Sequence, residues 1–178
     1  MVKMIRVFFV SFCILGLSSC SFTTHEKNPN QTIRQPSEIQ VYFTPGTDCE
    51  NEIIKRLNKS DKVDIAVYAI TNPAITNAII AAHDRGANIR IVTDKTQAKG
   101  KKSLVTKIKA AGIPVLTNKK HKIEHNKFAV FDGEYVVSGS YNWTTNASNY
   151  NSENCIFLDQ LGRRYSERFE YLWQLYNQ

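Results

Sequence analysis

The sequence predicts an α/β fold: a mixed, largely parallel central sheet flanked by helices on both faces. Three observations predict it. Between residues 39 and 117, short runs rich in β-branched residues alternate with segments whose apolar residues recur at helical spacing. Such alternation marks crossover units and parallel strand pairs. After residue 123 the texture changes to short strands around an Asp-Gly pair, a hairpin signal that makes the sheet mixed.

Each element has its own signal. Residues 39–43 alternate apolar and polar, as a strand does, and Pro45-Gly46 is a turn. Thr47 and Glu50 are spaced as a capping box, opening a helix with Ile53, Ile54 and Leu57 on one face. Residues 63–70 are apolar enough for a central strand. Asn72-Pro73 starts a second helix, lined by Ala74, Ile75, Ala78, Ile79 and Ala82 and followed by Gly86. Residues 89–93 form the next strand, 95–102 a basic loop, and 103–111 a short helix stopped by Gly112 and Pro114. A strand starts at Val115. Lys127–Phe131 and 135–138 pair as a hairpin across Asp132-Gly133, and 155–158 is one more strand. Residues 163–176 close the chain as a helix whose stripe of Tyr165, Phe169, Leu172, Trp173 and Tyr176 reads as core.

At 178 residues, and roughly 150 per domain, one folded domain is expected. A composition 42% apolar and 22% charged excludes wholesale disorder. No apolar run approaches the roughly 18 residues of a spanning helix, which excludes a polytopic membrane protein. Residues 1–19 have the form of a secretory signal, with Lys3 and Arg6 before a short apolar stretch. Leu17-Ser18-Ser19-Cys20 resembles a bacterial lipobox, which would make Cys20 the lipidated residue. With Ser21 in place of Asp, that resemblance implies the outer membrane as destination. The expected product is therefore exported from a bacterial cytoplasm, as a periplasmic or outer-membrane lipoprotein or as a secreted protein. Residues 20–37 are polar, with Pro29 and Pro36, and read as a tether to a domain over 38–178. Losing Lys3 and Arg6 lowers the net charge from +7 to +5. Cys49 and Cys155 are then left to form a disulfide or remain two buried thiols.

Chemistry concentrates between residues 125 and 154. His125 and Lys127 are two apart, so on a strand they share a face. Ser140 and Asn142 follow Gly139 and offer hydrogen-bond donors. A fixed cation, neutral donors and an imidazole together suit an anionic phosphate group. His121 lies four residues before His125, but neither a Cys pair nor a carboxylate ladder completes a metal site, and no metal is expected.

His125-x-Lys127, four residues, Asp132, six residues, then Gly139-Ser140-x-Asn142 resembles the phospholipase D superfamily motif at full spacing. Glu153 stands where that family has an acidic partner. Val41-Tyr42-Phe43-Thr44-Pro45 resembles the opening strand of its small bacterial endonuclease branch. The resemblance implies a phospholipase D-like sandwich and a metal-independent, cofactor-free phosphodiesterase. It implies that His125 forms a phosphohistidine and that Lys127, Ser140 and Asn142 hold phosphate oxygens. It also implies that Glu153 accepts a hydrogen bond from the imidazole. Asp132 belongs to the motif, yet its turn position favours a structural role. Because the motif occurs once, the resemblance implies a homodimer sharing one active site.

The substrate is less constrained. Lys95, Lys99, Lys101 and Lys102 follow one strand end, and Lys119, Lys120 and Lys122 precede the motif strand. Of these, Lys95, Lys120 and Lys122 are the candidate substrate-binding residues, on a rim fit to grip a nucleic-acid backbone. Trp143, beside Asn142, could stack on bases or pack in the core. A non-specific endonuclease is the leading expectation. A phospholipase D hydrolysing lipid headgroups is the alternative, supported by the expected lipid anchor and positive charge. A surface nucleic-acid-binding protein in DNA uptake is the third.

Overall fold

A computed structural model describes residues 39–178. The signal segment, Cys20 and the tether lie outside the described residues.

Seven strands make one sheet: β1 (Gln40–Phe43), β2 (Lys62–Val67), β3 (Asn88–Thr93), β4 (Val115–Thr117), β5 (Lys127–Phe131), β6 (Tyr135–Gly139) and β7 (Asn154–Leu158). Their order across the sheet is β1-β7-β6-β5-β2-β3-β4. The pairs β2–β3 and β3–β4 are parallel; β2–β5, β5–β6, β6–β7 and β1–β7 are antiparallel. The sheet is thus mixed, as expected, with β5 and β7 running against the other five strands. Antiparallel neighbours outnumber parallel ones because β5 inserts antiparallel beside β2, a strand laid down some sixty residues earlier, and the Asp132-Gly133 hairpin then turns the chain back beside β5.

Helices cover both faces. On one, α1 (Asp48–Leu57), α2 (Pro73–Asp84) and α4 (Val105–Ala110) bury Ile53, Leu57, Ile75, Ile79 and Ile108 against Ile65, Ile91, Ala129 and Phe131. On the other, α6 (Gly162–Asn177) lays Phe169, Leu172 and Tyr176 on Ala66, Val92, Phe128, Val130 and Val136. The alternation along β5 sends Phe128 and Val130 to the α6 side and Ala129 and Phe131 to the other. Gly162 is the contact that lets α6 start where it does. A Cβ there would collide with the carbonyl oxygens of Gly133 and Glu134 at the hairpin.

Asn72 caps α2 as expected, its Oδ1 accepting from the amides of Ala74 (2.8 Å) and Ile75 (3.2 Å), with Pro73 in the first turn. The capping box of α1 does not form. The Thr47 hydroxyl accepts from Asn51 Nδ2, and Glu50 turns away to Asn72 and Ser148, donors that compete successfully for its carboxylate. The segment expected as a basic loop opens with α3 (Lys95–Ala98), capped by Asp94. A short α5 (Thr145–Asn149), which the sequence did not predict, is capped by Thr144. Cys49 and Cys155 form a disulfide, Cα–Cα 6.0 Å, joining α1 to β7.

Candidate active site

His125 lies just before β5 and Lys127 is its first residue, so the strand delivers both to one end of the sheet. His125 is exposed and Lys127 half-buried. Lys127 Nζ donates to the His125 carbonyl at 2.7 Å. Tyr68, at the end of β2, braces both: its ring is 4.8 Å from the imidazole and 5.2 Å from Lys127 Nζ. The Tyr68 amide donates to the Asn126 carbonyl, and its hydroxyl accepts from Gln97 Nε2. Burial lowers the Lys127 pKa below the ordinary lysine value, while the negative charges of Glu153 and Glu124 oppose that shift.

The Gly139-Ser140 turn requires its glycine. At φ +148° the chain passes so close to β7 that a Cβ would collide with the Asn154 carbonyl. That approach lets the amides of Ser140 and Tyr141 donate to Asn154 O. Ser140 Oγ donates to Glu153 Oε2 at 2.6 Å and accepts from the Asn154 amide at 3.1 Å. The other Glu153 oxygen accepts from Asn151 Nδ2 at 2.9 Å, and the Glu153 amide donates to Thr44 Oγ1. The hydrogen bond expected between Glu153 and the imidazole is not made within the chain; Ser140 and Asn151 occupy the carboxylate instead. Asn142 Oδ1 is buried without a partner among the described residues.

Two candidates from the sequence fall elsewhere. Trp143 is 1% exposed, held in the core by its carbonyl accepting from the amides of Thr71 and Asn72, so its ring does not face a substrate. Asp132 lies at the opposite end of β5 from His125. Its Oδ1 accepts from the amides of Asp61 and Lys62, both at 2.9 Å, and its φ of +54° belongs to the turn. It is spent on the fold.

Lys95, Lys120 and Lys122 are exposed. Asn118 draws their two segments together: its Oδ1 accepts from the Lys95 amide at 2.7 Å and its Nδ2 donates to His121 O at 2.9 Å. The Glu124 amide then donates to Asp94 Oδ2, tying this rim to the residue before His125.

Two buried networks support the site, and the sequence analysis singled out neither. Glu124, 2% exposed, accepts from the Asn126 amide and side chain and from the Tyr176 hydroxyl; His121 Nδ1 meets the same hydroxyl, so it is committed to packing. Burial, then the hydrogen bond to Glu124, pushes the Tyr176 pKa well up. Behind Asn142, the Glu50 carboxylate accepts from Asn72 Nδ2 and Ser148 Oγ, and Ser148 meets the Tyr141 hydroxyl at 2.6 Å. Burial pushes the Tyr141 pKa up to about 12. A carboxylate adjacent to the motif, such as Glu124, was the one visible hint.

A cleft of about 370 Å³ opens from His125, Lys127 and Gly139 along α6 to Arg164 and Arg168. An exposed imidazole and a cation held beside it can bind and attack a phosphodiester.

The chain is similar to known proteins. Residues 53–173 match the family described as "Cardiolipin synthase, PLD-like domain". A mitochondrial cardiolipin hydrolase of Chlamydomonas reinhardtii is 35% identical over 167 residues, 90% of this chain and 75% of that protein. A phospholipase D of Rickettsia prowazekii is 30% identical over 138 residues, 77% of this chain and 66% of that protein. The crystal structure of Nuc, a phospholipase D family member from Salmonella typhimurium, superposes with a TM-score of 0.74 at 27% identity, covering 78% of this chain and 95% of Nuc. With the motif, the mixed seven-stranded sheet and a family match over most of the domain, this chain belongs to the phospholipase D superfamily of phosphodiesterases.

Proposed function

We propose that the chain is a metal-independent nuclease that works through a phosphohistidine and shares one active site between two copies. A lone pair of the His125 imidazole attacks phosphorus, and the bond to the leaving oxygen breaks. That oxygen takes a proton from the His125 of the second copy. The same second imidazole then removes a proton from water, whose oxygen displaces the first imidazole from phosphorus. Lys127 and Asn142 neutralise and orient the phosphate oxygens. Glu153 and Ser140 hold the Gly139 turn against β7. We further propose lipidation at Cys20 and a location outside the cytoplasm; the Cys49–Cys155 disulfide supports an oxidising compartment.

The observation that carries the nuclease reading is positive charge around an open cleft. The described walls near His125 are cationic at Lys127, Arg164 and Arg168, and Lys95, Lys120 and Lys122 are exposed on segments tied to the residue before His125. Such a surface holds a phosphate backbone without reading its sequence. A second reading, phospholipase D, has two supports. The relatives described above are named for lipid substrates. Phe43 and Tyr150, 70% and 76% exposed, flank the Thr44–Asn151–Glu153 contacts.

A substrate panel separates the two. Residues 21–178 are incubated in EDTA with plasmid, single-stranded DNA, RNA and mixed phospholipid vesicles, with His125→Ala as the blank. Cleavage of nucleic acid absent from the blank supports the nuclease. Headgroup release with intact nucleic acid overturns it in favour of the phospholipase. Binding without turnover of any substrate rejects both.

A further inference from the structure

The first turn of α6 carries Arg163 and Arg164 and no acidic residue, with Arg168 one turn later. Cations are disfavoured at a helix N-terminus, and like charges four residues apart repel. Two of these three arginines are also left without acceptors. Arg163 pairs with Glu167, Arg56 with Glu52, and Arg90 with Asp64 and Glu170; Arg85 donates to the Leu57 and Ser60 carbonyls. Arg164 and Arg168 alone among the described arginines make no ion pair or hydrogen bond to a described residue; Arg168 lies 5.1 Å from the Tyr171 ring centroid. Both line the cleft that holds His125 and Lys127. Between the two ends, Phe128 and Tyr165 meet edge to face at 5.0 Å, and Ser138 and Gly139 line the same cleft.

We propose that Arg164 and Arg168 form a subsite for the phosphodiester next to the one under attack, so that the preferred substrate is a polynucleotide strand with at least two consecutive phosphates. The proposal rests on the nuclease reading above. The scissile phosphate sits at His125 and Lys127, and the strand continues along α6. Forked guanidinium donors grip the neighbouring phosphate oxygens, and the Tyr165–Phe128 floor carries the intervening sugar. The helix tolerates an unfavourable charge arrangement because the substrate, not the protein, supplies the counter-charge.

The test compares the wild-type chain with the R164Q/R168Q double variant on two substrates. One is bis(4-nitrophenyl) phosphate, which has a single diester and no neighbour; the other is a single-stranded oligothymidylate. The ratio of kcat/KM on the oligonucleotide to that on the small diester should fall at least tenfold in the variant. Its log–log salt slope for oligonucleotide binding should fall by about 0.7, one phosphate contact on a single strand. The R164K/R168K variant should recover most of the salt slope and part of the ratio. An unchanged ratio overturns the subsite while leaving the nuclease intact. So does an equal loss on both substrates, or a loss accompanied by a changed oligomeric state in sedimentation. A wild-type chain that hydrolyses the small diester but spares every oligonucleotide overturns the nuclease reading itself.

Discussion

The two ends of β5 differ in how completely they are satisfied. At the Phe131 end, Asp132 takes two backbone amides, and Gly162 packs against the hairpin with no room for a side chain. At the Lys127 end, the imidazole is exposed, the ammonium is partly desolvated and Asn142 Oδ1 has no partner. One strand of five residues therefore carries a motif with two jobs. Its closed end stabilises the fold, and its open end keeps polar groups available to a ligand.

Substitutions at the two ends should separate these jobs. His125→Ala should lower kcat/KM by at least about 10⁴-fold, since the proposed mechanism loses both its nucleophile and its proton donor, with the melting temperature unchanged within a degree or two. Lys127→Met should lower kcat/KM by about 10²- to 10³-fold without lowering stability at neutral pH. The sign follows from burial. A lysine pKa depressed in the folded state means that the charged form opposes folding. That penalty is present below the folded value and relieved as pH rises toward the ordinary 10.5. Denaturant titrations at pH 7 and pH 10 check it: wild-type stability should gain on the variant as pH rises, and a variant less stable at pH 7 contradicts it.

The closed end should respond the other way. Gly162→Ala forces a Cβ onto the hairpin carbonyls and should cost about 2–3 kcal/mol, with activity per folded molecule retained. Asp132→Ala should cost about 1–2 kcal/mol by leaving the Asp61 and Lys62 amides without their acceptor. Loss of turnover beyond the loss of folded protein in either variant would mean that the two ends are coupled.

What the sequence revealed follows the range of the forces involved. Strands β2, β3 and β5 and helix α2 announce themselves through local pattern and caps, and so does the hairpin. The motif is equally local, because His125, Lys127, Ser140 and Asn142 lie within eighteen residues. Pairings set by distant segments were not legible. Antiparallel β2–β5 and β1–β7 contacts join residues far apart in sequence. Helix α5, Thr-Asn-Ala-Ser-Asn, has no apolar period and is held by the Thr144 cap and the burial of Ala147 and Ser148. Trp143 offered two readings, and only the Ile70 bridge decides for the core. Glu50 looked like a capping residue because its true partners, Asn72 and Ser148, lie 22 and 98 residues away.

The central claim is a double displacement at phosphorus through His125, and stereochemistry tests it for any cleavable diester. A phosphodiester made chiral with a sulfur and an oxygen isotope is hydrolysed in labelled water with EDTA present, and the product configuration is read by phosphorus NMR. Two successive in-line steps predict net retention. Inversion would mean that water attacks phosphorus directly, and would contradict the account.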